Sequence, residues 1–112
     1  AAFELHADPT TDGITLVHRG GDAVPVRDLR AHVEIDGESL AHQPPVPFFA
    51  ATGFESGPTG PFNVGHEGRW RAGERATIRL ASTNEPRLSP GARVTVTLYL
   101  GEQKLAVLTA TA

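Results

Sequence analysis

Residues 12–37 read DGITLVHRGGDAVPVRDLRAHVEIDG. In the second half of this stretch Leu29, Ala31, Val33 and Ile35 alternate with Arg30, His32, Glu34 and Asp36. A period of two sends successive side chains to opposite faces, so one face is dry and the other wet. Such a strand belongs to an antiparallel sheet with one face on a core. The first half, Gly13 to His18, carries Ile14 and Leu16 as inward positions. It breaks at Gly20-Gly21-Asp22, where glycine allows positive φ and the aspartate can bond the local backbone. Asp36-Gly37 is a two-residue hairpin signal, with Glu38-Ser39-Leu40 as a short returning strand.

On either side of this stretch the chain keeps the same character. Phe3 to Ala7 alternates weakly and ends at an Asp8-Pro9 turn. Ala76, Ile78 and Leu80 form a further alternating set after the Ala72-Gly73-Glu74 turn. Asn84-Glu85-Pro86 and Ser89-Pro90-Gly91 are turn signals before the longest strand, in which Val94, Val96, Leu98 and Leu100 share one face. Gly101-Glu102-Gln103 turns the chain into Leu105–Thr109, and this dense final hairpin is expected at the centre of the core. With no helical period anywhere, the predicted fold is all-β: one antiparallel β-sandwich domain, residues 1–112, of immunoglobulin-like architecture. The cysteine–tryptophan–cysteine signature of true immunoglobulin domains is missing.

Between Ala41 and Arg71 the pattern stops. This segment holds five of the nine prolines and five of the twelve glycines, which rules out a long helix or central strand. It also holds Phe48, Phe49, Phe54, Phe62 and Trp70, five of seven aromatics, so it is not a simply solvated loop. One reading folds the rings down over an open end of the sheets. The other exposes an aromatic patch, with Phe48, Phe49, Phe54 and Phe62 as an interaction loop for a neighbouring subunit or a surface.

Composition excludes several function classes. The net charge of −3 comes from 10 basic and 13 acidic residues spread along the chain, with no patch for a phosphate backbone, so no nucleic-acid binding is expected. No cysteine is present, hence no disulfide, thiolate ligand or thiol nucleophile. His6, His18, His32, His42 and His66 lack ligand spacing and read as scattered surface histidines; no metal or cofactor is expected. Ser39, Ser56, Ser82 and Ser89 lie in or beside turns, and Glu34 and Asp36 belong to a solvated mixed-charge face. No catalytic residue is assigned.

The HRGGD turn between the Gly13–His18 strand and VPVRDLRAHVEIDG resembles the extracellular domain of archaeal type IV pilin-like proteins. Trp70-Arg71-Ala72-Gly73-Glu74 and Leu88-Ser89-Pro90-Gly91-Ala92-Arg93, each before a strand, are similar to segments of that family. The block HQPPVPFFAATGF with GPTGPFN is similar to its halophilic members, although −3 is a mild charge for them. The resemblance implies a structural head domain outside the cell, partnered by other pilin-like subunits through an upstream hydrophobic helix. It implies contact with the membrane only through that helix, and adhesion to surfaces or other cells. A start at Ala1-Ala2-Phe3 without methionine fits a mature or trimmed fragment, expected to be monomeric without the polymerising helix. Asn63-Val64-Gly65 and Asn84-Glu85-Pro86 are not sequons, so N-glycosylation is not expected. The second reading is a cell-surface binding module, an archaellum stator-like component or an envelope- or carbohydrate-binding domain, with the aromatic loop as its contact.

Overall fold

The computed structural model describes residues 2–112. Alternation is realised as two antiparallel sheets. The first contains β1 (Ala2–Asp8), β2 (Gly13–Gly20) and β7 (Arg75–Arg79) in the order β1-β2-β7. The second contains β4 (Leu29–Ile35), β5 (Glu38–Ser39), β8 (Arg93–Leu100) and β9 (Gln103–Thr111) in the order β5-β4-β8-β9. A two-residue ribbon pairs β3 (Val24–Pro25) with β6 (Arg69–Trp70). The only helical pieces among the described residues are the 3₁₀ turns Val26–Asp28 and Gly60–Phe62, and no described helix is long and apolar enough to cross a membrane.

Most residues that alternation marks as inward become dry, while Leu100 at the end of β8 is only partly buried. Ile14 and Leu16 from the first sheet and Val33, Ile35, Val94, Val96 and Leu98 from the second join one continuous hydrophobic core. Each fully buried aliphatic side chain of this kind is worth roughly 1.5–3 kcal/mol of transfer free energy. Register follows from the turns. The Asp36-Gly37 turn, with both residues at positive φ, sets Ile35 opposite Glu38, and β4 pairs with β8 from Leu29↔Leu100 to Ile35↔Val94.

Two expectations need correcting. The final hairpin is not central as a unit. β8 lies between β4 and β9 and is dry on its inward face, whereas β9 is an edge strand whose apolar residues are only half-buried and whose Val107 is exposed. Apolar density ranked the two strands together, but a strand with a neighbour on one side only cannot be covered on both flanks. The histidines are also not all at the surface: His18 is completely buried. Its place is under Phe3 and Trp70, which come from segments distant in sequence.

Candidate functional site

The segment from Ala41 to Arg71, unpatterned in sequence, is held by backbone pairing and by two aromatic clusters. Thr59 and Thr77 exchange backbone hydrogen bonds, the Glu55 N–H donates to the Arg79 carbonyl, and the Ala81 N–H donates to that of Gly53. Residues 53–59 therefore run along the free side of β7 as an interrupted strand and cover an edge that would otherwise be open. At the end of this run a Cβ on Gly60, which sits at φ +67°, would lie 2.0 Å from the Arg75 carbonyl oxygen. Only glycine permits the backbones to approach this closely.

Phe48 and Phe54 pack with ring centroids 5.7 Å apart, and Phe62 meets Trp70 edge-on at 5.3 Å. Tilted and edge-to-face geometries at these separations suit the ring quadrupoles. Trp70 continues the cluster to Phe3 at 5.0 Å and to His18 at 6.0 Å. The indole N–H donates to the Glu74 carbonyl, which also accepts from the His18 N–H, while the Gly73 N–H donates to the His18 carbonyl. The His18 imidazole accepts from the Gly20 N–H at Nδ1, so Nε2 carries the proton and donates to the Asp22 carbonyl at 2.9 Å. The HRGGD turn and the WRAGE turn, some fifty positions apart in the chain, thus form one buried lock.

Of the four phenylalanines singled out by sequence, Phe48, Phe54 and Phe62 belong to the core and Phe49 is 57% exposed. The parallel bridge between Phe48 and Asn63 sets Phe49 beside Val64, and Val64 is exposed as well. Pro47 and Val64 border a groove of about 430 Å³ whose other walls include Pro25, Arg27 and Arg69. A second groove, of about 340 Å³, runs between the outward face of β4 and residues 43–46.

Asn84, which the sequence marks only as part of a turn, is fully buried among the turns after β7. Its side-chain oxygen accepts from the His42 N–H, and its amide nitrogen donates to the carbonyls of His42 and Gly53. An asparagine before Glu85-Pro86 carries no pattern that separates this role from an ordinary turn residue. Gln43 was equally silent: its amide accepts from the Val33 N–H and donates to the Val33 carbonyl, acting as one rung of a strand beside β4.

The remaining polar contacts are local. His32 Nε2 lies 3.0 Å from Ser39 Oγ and 3.6 Å from a Glu34 carboxylate oxygen. Both contacts use the same ring nitrogen, whereas a base that activates a serine needs the acid on its other nitrogen. Asp36 accepts from the Arg93 N–H and so closes the sheet end. Glu74 is held below its ordinary value of 4.5 chiefly by the Arg71 N–H, with a smaller contribution from His66 and with desolvation opposing. Among the described residues no group of three or more acidic or histidine side chains is placed to hold a metal ion.

No protein-family model, curated protein or solved structure matches the chain.

Proposed function

We propose that the chain is a structural β-sandwich of immunoglobulin-like architecture, the extracellular head of an archaeal type IV pilin-like subunit anchored and polymerised by an upstream helix. The strand order supports the architecture. β1, β2 and β7 with residues 53–59 along β7 take the places of strands A, B, E and D, and β5-β4-β8-β9 those of C′, C, F and G. The observation that carries the functional reading is the lock described above. The HRGGD and WRAGE segments, which bear the family resemblance, meet in one buried network of His18, Trp70 and the Glu74 carbonyl. Their likeness to pilin segments is then the likeness of a single structural unit rather than of two unrelated turns. Ala2 is exposed and leads directly into edge strand β1, a geometry that an entering helix can use without disturbing the core.

The role is display: a domain whose long proline- and glycine-rich segment is pinned at many points presents a fixed, protease-resistant surface for adhesion to surfaces or other cells. Antibodies raised against the purified domain test this on filaments sheared from the source cells. Immunogold label is expected at regular spacing along the filament shaft. Absence of label on filaments, with the protein found only inside the cell, overturns the reading.

A second reading, a cell-surface binding module, is favoured by the adjacent exposed Phe49 and Val64, since paired apolar side chains at a surface mark contact sites more often than single ones. Label confined to the cell envelope, with none on filaments, selects it over the first.

A further inference from the structure

The pairing of β4 leaves one rung of its ladder open. The Asp36 N–H donates to the Arg93 carbonyl and the Gly101 N–H to that of Asp28, which fixes the parity of the whole β4–β8 ladder. In an antiparallel pair hydrogen-bonded positions alternate, so Arg30, His32 and Glu34 bond to β8 while Leu29, Ala31, Val33 and Ile35 turn their peptide groups the other way. On that other side Ile35 faces β5, and the Val33 carbonyl accepts from the Leu40 N–H. The Gln43 amide completes Val33, and the Leu29 N–H is taken by the Val26 carbonyl. No described residue takes the N–H or C=O of Ala31, or the C=O of Leu29. These three groups lie beside the 340 Å³ groove, whose far wall is Pro44-Pro45-Val46. Its volume is within the range of natural ligand sites.

The charge of the groove specifies its occupant. The chain as a whole is acidic, with a net charge of −3, yet no carboxylate lines this groove. Arg30 and His32 do; His32 already faces Ser39 and the Glu34 carboxylate, so the free cation is Arg30, whose guanidinium lies 4.6 Å from the centre of the Tyr99 ring with no ion-pair partner among the described residues. We infer that β4 accepts an extended acidic peptide by strand addition. The peptide backbone pairs with Ala31 and the Leu29 carbonyl. Its central residue points inward beside Ala31, and the acidic side chain across from Arg30 meets the unpaired guanidinium. Main-chain bonds supply the attachment and the flanking charge the selectivity, the division of labour common to strand addition. The inference goes beyond the filament reading and does not depend on it.

The probe is the blocked pentapeptide acetyl-TDVET-amide, titrated into the isotope-labelled domain and followed by amide resonances and hydrogen exchange. The expected result is saturable binding with Kd on the order of 1 mM, a downfield shift of the Ala31 amide and slowing of its exchange by roughly tenfold or more. Acetyl-TKVKT-amide is expected to bind roughly tenfold more weakly, and so is the acidic peptide N-methylated at its valine, which cannot donate to Ala31. Arg30→Glu, at an exposed position, reverses the preference between the acidic and basic peptides. Ala31→Pro removes the N–H on an edge where proline is compatible with a strand and abolishes binding; should it not fold, the N-methylated peptide and Arg30→Glu decide alone. The inference is overturned if the Ala31 amide does not respond at about 5 mM acidic peptide, or if the N-methylated peptide binds equally. Shifts that map to Phe49 and Val64 instead also overturn it.

Discussion

Replacing Asn84 by alanine isolates the connection between the turns after β7 and the aromatic segment. The side chain is completely buried and makes three hydrogen bonds, all to backbone: one from the His42 N–H and two to the carbonyls of His42 and Gly53. Alanine removes all three; the His42 N–H and C=O lose their partner, while the Gly53 carbonyl keeps the Ala81 N–H. A net value of about 1 kcal/mol per hydrogen bond gives a loss of about 3 kcal/mol. Partial access of water to half-buried His42 and the Ala81 N–H retained by the Gly53 carbonyl both lower that figure, which is therefore an upper value. Against a typical domain stability of about 5–15 kcal/mol the variant still folds. Its melting temperature should fall by up to about 12 °C, taking about 4 °C per kcal/mol for a domain of this size. Urea unfolding followed by tryptophan fluorescence measures the loss, since Trp70 sits in the adjoining cluster. Asn84→Asp sharpens the test at nearly unchanged volume. A carboxylate keeps the bond from the His42 N–H but sets oxygen against the two carbonyl oxygens, so at neutral pH it should cost at least as much as alanine. Those carbonyls and burial raise the folded-state pKa of the introduced carboxyl above its unfolded value of about 3.9. Its deficit is therefore smallest below that unfolded value and grows as pH rises through the raised folded one. A loss under about 0.5 kcal/mol for the alanine variant, the range of an ordinary surface substitution, refutes the assignment of Asn84 as the tie.

The other expectations concern neighbouring features. Phe62→Ala should cost about 3–5 kcal/mol and Phe49→Ala less than about 0.5 kcal/mol in the same unfolding assay, because one ring is fully buried and the other is exposed; equal losses would contradict the burial pattern. Gly60→Ala places a Cβ against the Arg75 carbonyl at a positive φ and should destabilise by at least about 3 kcal/mol; a soluble variant with wild-type urea midpoint would count against the close approach. The Glu74 carboxylate, held below 4.5 mainly by the Arg71 N–H, contributes stability that is present above 4.5 and lost as pH falls through its lower folded value. Stability curves for wild type and Glu74→Gln should accordingly diverge at neutral pH and converge in acid, and parallel curves would remove Glu74 from the account.

How much of this molecule was legible in one dimension depends on whether a residue's environment is set by its near neighbours. Alternation from Leu29 to Ile35 and from Val94 to Leu98 identified strands and their dry faces, because the pleat makes sidedness a local property. Asp36-Gly37 identified a hairpin for the same reason: positive φ at both positions is demanded within two residues. The aromatic segment was visible only as a composition, and its two open readings differed by which rings met a partner. Phe49 and Phe48 are adjacent in sequence and opposite in exposure, a difference set by a parallel bridge to Asn63.

What the sequence by itself determined is an antiparallel all-β chain, its principal strands and the turns between them, since φ preferences and a period of two act over a few residues. Tertiary structure alone decided that β9 is an edge, that His18 is buried as a hydrogen-bonded ring, and that Asn84 and Gln43 replace missing backbone partners. It alone decided that Ala31 is left with an open rung. Each of these depends on which segments meet across many tens of residues. Short-range patterns carry no information about such meetings, because the free energy that fixes them comes from burial and hydrogen bonding between parts of the chain that are distant in sequence.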